Sequence, residues 1–432
     1  MLPARTLTIT GIALLLFAGA ARCDSRQAEQ AWQEGDYVTA LQVWQSLAEA
    51  GDGAAQYNTA ILLLDGLGQH PDPQAALDWL QRAAAQGNAD ARFCLGYLYA
   101  QGRDVPRDDE RAAQWYRAAA AAGHAAAQLN LALLYRDKRA RGGDDTEVVR
   151  LLRAAADQGL AAAQYLLAEH NAQGEVASRD VRHANALYRK AADQAYAPAQ
   201  RQLGLMFLNG TGAPVDTDMA IRWLTRAAQQ DDAEAQYYLG MLYRTGKGVD
   251  QDPALAFHWL QDAAWLGHAR AQYNLGLMYR EGVGVERDYH EAARWYRAAA
   301  ERGEPRAQNN LGNLYVSGRG VPQDYVLAHK WFNLAGASGN ENGIRNRDKL
   351  AGQITGLQLV EAQRLARAWY DGHADRPQVL LGDATDPVAV DTTGDDAGTA
   401  TVSGVSGAAG ARSWFSRWFG QDKTVAQGGG GE

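Results

Sequence analysis

The tightest constraint on this 432-residue chain is a period. Alanine followed by glutamine, or once by arginine, ends at Gln56, Arg92, Gln128, Gln164, Gln200, Gln236, Gln272 and Gln308, each 36 residues after the last, with no insertion in the phase. Self-similarity at that length marks a chain built by stacking one small unit whose apolar face is buried only by its neighbours. Repetition is also how so long a chain avoids needing one oversized core.

Other columns keep the step. Aspartate recurs from Asp72 to Asp324, and tryptophan stands at 79, 115, 223, 259, 295 and 331, with Leu151 and Leu187 in the two gaps. Each unit holds two apolar-periodic stretches, such as "ARAQYNLGLMYREG" and "DYHEAARWYRAAAERG". The spacing predicts a helix, a loop and a second helix. Gly282 and its counterparts suit the left-handed end of the first helix, the aspartate suits the cap of the second, and Asp72-Pro73 and Asp252-Pro253 add proline at the first helical position. Glycines 96, 204, 240, 276 and 312 lie inside the first helix, where close packing of the pair offsets their poor propensity. The tryptophan column is read as core filling between units.

"AQYNLGLMYREGVG" at 271–284 invites a nucleotide-loop reading. A phosphate loop occurs once, after a strand, and carries Lys-Ser or Lys-Thr, whereas this stretch recurs between helices. It is read as a helix stop and turn. No cofactor site is expected.

Residues 1–22 are read as a signal peptide: Arg5, then an uncharged stretch from Thr6 to Ala21, then small residues at Ala18 and Ala20. Export to the periplasm or cell envelope follows as the expectation. Cys23 leaves two readings open, a lipidated membrane tether or a soluble mature protein, because Arg22 stands where a small residue normally precedes a lipidated cysteine. With Cys94 as the only other cysteine, no disulfide framework is available. The net charge of −8 and the lack of a Lys/Arg-rich run argue against a nucleic-acid partner.

The unit resembles the Sel1-like repeat, a relative of the tetratricopeptide repeat, and is carried best by Ala271, Leu275, Gly276, Tyr279, Gly282, Gly284, Val285, Asp288, Ala292, Trp295, Ala298, Ala299 and Gly303. The resemblance covers residues 53–340 as eight repeats, with two departing units around Leu151 and Asn171. Residues 25–52 resemble an ordinary tetratricopeptide unit, and 341–372 resemble the closing, capping segment of bacterial relatives. Residues 373–432 are read as a disordered tail with an aromatic island at 413–420, where Trp414, Phe415, Trp418 and Phe419 share a helical face around Arg417. That island reads equally as a docking or membrane-surface peptide and as a tail without a partner.

What the resemblance implies is an all-α, right-handed helix-turn-helix solenoid that acts as a scaffold or adaptor, its concave groove lined by first helices and holding a protein or peptide. Carried over by phase, the groove residues are Tyr57, Phe93, Tyr165, Tyr237 and Tyr273, with Leu129, Arg201 and Asn309 in the same column, and Arg136, Arg244 and Arg280 in a second. Packing between helices is the alternative for the aromatics. Asn58, Asn130, Asn274 and Asn310 have the same two readings, peptide bonding or helix bonding. Catalysis is not expected: no metalloprotease, Ser-x-x-Lys or Gly-x-Ser-x-Gly motif stands out, and the paired cysteines of Sel1-like proteins linked to β-lactam hydrolysis are missing. An envelope lipoprotein supporting polysaccharide export or wall remodelling is the runner-up reading.

Overall fold

A computed structural model describes residues 25–173 and 181–373. Cys23 and the aromatic island lie outside the described residues. Twenty helices, and no strand among the described residues, alternate with short loops. The described residues form two compact units that divide within one helix, between Leu167 and Ala168.

The first unit holds α1 (25–34), α2 (Tyr37–Glu49), α3 (Gly53–Asp65), α4 (Pro73–Ala85), α5 (Ala89–Gln101), α6 (Asp109–Ala121), α7 (Ala125–Arg136), α8 (Asp145–Asp157) and the start of α9 (Ala161–Gln173). The second, after the rest of α9, holds α10 (Val181–Asp193), α11 (Ala197–Asn209), α12 (Thr217–Ala228), α13 (Ala233–Thr245), α14 (Pro253–Trp265), α15 (Ala269–Glu281), α16 (Tyr289–Ala300), α17 (Pro305–Ser317), α18 (Tyr325–Ala337), α19 (Glu341–Ala351) and α20 (Gly356–Asp371). The closing segment is thus two helices, α19 and α20, both packed on α18.

Six of the hairpins, those opened by α3, α5, α11, α13, α15 and α17, are made by the same local chemistry, whereas α7 ends on Asp137 at φ −82°. In these six the first helix ends on a left-handed glycine, Gly282 at φ +73° for example, whose amide bonds Met278 O. The chain then crosses to Asp288, whose amide donates to Tyr279 O at 2.9 Å and whose carboxylate caps α16 by accepting from the amides of His290 and Glu291. Asp72, Asp108, Asp216, Asp252 and Asp324 repeat both bonds.

The tryptophan column is core in only some units, and the residue after it is core in every one. Leu80, Tyr116, Leu152, Tyr188, Leu224, Leu260, Tyr296 and Phe332 are all buried, whereas Trp79, Trp115 and Trp259 are half-buried and only Trp223, Trp295 and Trp331 are buried. The reason is geometric. This next residue points at the small position of the first helix: a Cβ on Gly276 would stand 2.7 Å from Tyr296 ring carbons and 2.9 Å from Ala292 O. Glycine there lets the bulky side chain lie against bare backbone.

A second repeated contact ties one hairpin to the next. The amide nitrogens of Gln56, Gln128, Gln164, Gln200, Gln236, Gln272 and Gln308 each donate to the carbonyl eight residues earlier, at 3.0 to 3.3 Å. Arg92, the exception in the column, uses Nε to reach Ala84 O at 3.1 Å. The invariant step of the sequence is therefore an inter-hairpin hydrogen bond.

Two substitutions test this. Gly276→Ala gains about 1 kcal/mol of helix propensity but overpacks Tyr296 and the Ala292 carbonyl, at a cost of ~1–3 kcal/mol; chemical denaturation should show a net loss. Ala195 sits at φ +61°, where other units place glycine, so Ala195→Gly should raise stability by about 0.5–1 kcal/mol.

Candidate recognition face

The first helices of the repeats begin on a capping residue in one column. Asp52, Asn88, His124, Asp232 and His268 each accept the amide three residues on. The two histidines do more. His268 Nδ1 accepts from Ala271 N at 3.1 Å, Nε2 meets Glu234 Oε2 at 3.1 Å, and the ring stacks on Tyr237 at 4.6 Å. His124 repeats the arrangement with Ala127 N, Asp90 at 3.3 Å and Phe93 at 4.6 Å. An Nδ1 that accepts fixes the Nε2–H tautomer, which then donates to the carboxylate.

This arrangement overturns the expected exposure of the aromatic column. Tyr57, Phe93, Tyr237 and Tyr273 are 7%, 3%, 1% and 4% exposed, and Leu129 and Asn309 are buried with them. Their rings lie under the start of the next first helix: Phe93 and Tyr237 beneath the histidines, and Tyr273 beneath Arg306, whose guanidinium carbon is 4.8 Å from the ring centre. Packing between helices is their role. Tyr165 is half-buried, as is Arg201, which pairs with Asp232 at 3.4 Å.

The arginine column is nearer the solvent. Arg136 is exposed and pairs with Asp137 at 3.0 Å. Arg280 pairs with Glu281 at 2.7 Å, its side chain 11% exposed. Half-buried Arg244 donates from Nη1 to Asn274 Oδ1, and no carboxylate of the described residues is within ion-pair range. Asn274 is buried and sends Nδ2 to Arg270 O at 2.8 Å, and Asn130 donates to the Tyr116 hydroxyl at 3.2 Å. Both asparagines are committed to the protein's own groups. They position neighbours instead of presenting amides.

Sequence reasoning missed the histidine–carboxylate caps. Their trace was legible: His124 and His268 share a column, each 34 residues after an acid, Asp90 or Glu234. Cys94 is fully buried, and burial pushes its thiol up to about 12, as for a packing residue. Among the described residues no cluster of three or more His, Cys, Asp or Glu could hold a metal, and no helix is long and apolar enough to cross a membrane.

Stacked helical hairpins of one repeated sequence define a repeat solenoid. The Sel1 repeat model matches residues 53–88, 89–124 and, without a break, 161–340 as five further units, so the chain belongs to the Sel1-repeat family. Residues 125–160, whose turn lacks Gly-x-Gly, are not among the matched units, yet α7 and α8 form the same hairpin. Among solved structures, a protective antigen of uropathogenic Escherichia coli strains with the same kind of fold is 32% identical, over 88% of this chain and 82% of its own, with a TM-score of 0.72. A Sel1 repeat protein from Oxalobacter formigenes is 31% identical over 72% of this chain and 90% of its own, with a TM-score of 0.58. No curated protein matches the chain significantly. Sel1-repeat proteins are in general protein-interaction scaffolds, and an all-helical solenoid of this type is typically non-catalytic.

The caps give a prediction. His268→Ala should cost about 1 kcal/mol of stability and His268→Asn, which copies Asn88, much less. Burial raises the Glu234 carboxyl, but the hydrogen bond from His268, with the charges of Arg201 and Arg270, brings it net below its usual value. Stability held by that charge is present above the ordinary glutamate pKa and lost as pH falls through the lowered folded value. Thermal melts from pH 6 to pH 3 should fall less steeply for Glu234→Gln.

Proposed function

We propose that the chain is a non-enzymatic scaffold of the cell envelope that holds a protein or peptide partner on the first-helix face of its second unit, around Arg244 and Arg280. The observation that carries this is the state of Arg244. A guanidinium has five N–H donors in a fixed fork, and Arg244 spends one on a neutral amide while half-buried. A partly desolvated cation without a carboxylate is poised for an anionic or carbonyl-bearing partner, and arginine is enriched among residues that dominate binding energy.

Export rests on residues 1–22, and the choice between free protein and tethered lipoprotein rests on Cys23. Fractionation of full-length chain and Cys23→Ser separates these readings: membrane association lost with the thiol supports the tether, and an unchanged soluble fraction removes it.

Arg244→Ala with Arg280→Ala leaves the buried aromatics intact and should keep full helicity by circular dichroism. Affinity capture from the exported fraction should then lose a protein that wild type retains. Identical captures would reject this face as the recognition surface.

A further inference from the structure

Trp265 and Leu266 close α14 and break the rule that their own repeat sets. Other units carry small or polar residues at the first position, Ala121 and Gln229 among them, and at the second Gln86, Gln158, Gln194 and Gln230, or Ala122, Arg302 and Ser338. Gln86, Gln158 and Gln230 donate to the Oε1 of the ladder glutamines at 2.8 to 2.9 Å. Leu266 has no donor to give, and Gln236 Oε1 lies buried without a hydrogen-bond partner in the protein. The same holds for the Oε1 atoms of Gln272 and Gln308, but among the described residues only this repeat exposes an adjacent large apolar pair, Trp265 by 61% and Leu266 by 50%. Trp265 is the one exposed tryptophan among the described residues.

Its surroundings are ordered and carry two guanidiniums, Arg302 and Arg294, the latter also paired with Glu291 at 3.3 Å. The Trp265 ring stands edge-on to Trp295 at 5.0 Å, and Arg294 lies over both rings at 5.3 and 5.4 Å. Arg302 is exposed beside Gly267, with an Nη atom 3.2 Å from where a Cβ would stand. An adjacent apolar pair flanked by two guanidiniums fits an apolar segment followed by carboxylates.

The chain supplies such a segment where the described residues end. Glu301, one repeat on from Trp265, accepts from Trp369 Nε1 at 2.7 Å and lies 3.8 Å from His373 Nε2. From Arg294 to Glu301 the helix rises about 10 Å. The six residue-to-residue steps from His373 to Val379 reach about 20 Å when extended. Next come Val379, Leu380, Leu381, Gly382, Asp383, Ala384, Thr385 and Asp386.

We propose that residues 379–386 of this same chain dock on Trp265 and Leu266, the three apolar side chains on the indole and leucine, and Asp383 and Asp386 on Arg294 and Arg302. The docked segment covers the apolar pair without a second protein.

Disulfide capture in the full chain tests this. Leu266→Cys with Leu381→Cys, under mild oxidation at dilute concentration, should form an intramolecular bond identified by peptide mapping. Arg294→Glu with Arg302→Glu should slow its formation by about tenfold by placing like charges opposite one another, and so should Asp383→Arg with Asp386→Arg, which leaves α1–α20 unchanged. All four changes together should restore the original rate. Equal rates in every background, or a fourfold variant as slow as the pairs, would overturn the docking and leave proximity alone as the cause.

Discussion

The hydrogen bond from a buried glutamine to the carbonyl eight residues behind it is the contact on which the repeated architecture rests. It reaches from the first helix of one hairpin to the second helix of the hairpin before, so it sets the register in which successive hairpins meet. A nonpolar residue there would bury an unpaired carbonyl. The position is accordingly glutamine in every unit but one, and Arg92 makes the same bond with a different nitrogen. Glycine or alanine four residues further along does the complementary task within the hairpin, admitting the bulky residue of the second helix.

Much of this was legible because repetition supplies its own controls. Helix order, the left-handed glycines and the aspartate caps follow from columns whose chemistry is local, a dihedral preference or a bond to an amide three residues away. What was not legible was which side of a helix faces a neighbouring hairpin. The tryptophan column is core only in part, Trp295 being buried and Trp259 half-buried, whereas the next residue, Leu260 or Tyr296, is buried throughout, because adjacent residues on a helix differ by about 100° in direction and the pattern is apolar at both. The tyrosines of the first helices failed for the same reason: Tyr237 reads as an amphipathic contact residue until the histidine of the next unit is seen to lie on it.

The arginine column is less deeply packed than the aromatic one. Arg244 and Arg280 lie in the last full turn of their helices, beyond the reach of the next helix's start, so one remains half-buried with a neutral partner and the other is paired with its own neighbour. A scaffold assembled from equivalent hairpins differentiates itself at such positions. The residues that vary within a column carry the individuality of the protein, and those that do not carry the fold.

The glutamine ladder also has unequal rungs. At Gln56, Gln128 and Gln200 the acceptor oxygen is bonded by a second glutamine thirty residues on, whereas at Gln236, Gln272 and Gln308 it is buried without a partner in the protein. In a quasi-one-dimensional stack, stability is a sum over neighbouring pairs. Unequal pair terms divide such a stack into segments that open at different free energies. The three rungs with an unpaired oxygen all fall between hairpins of the second unit.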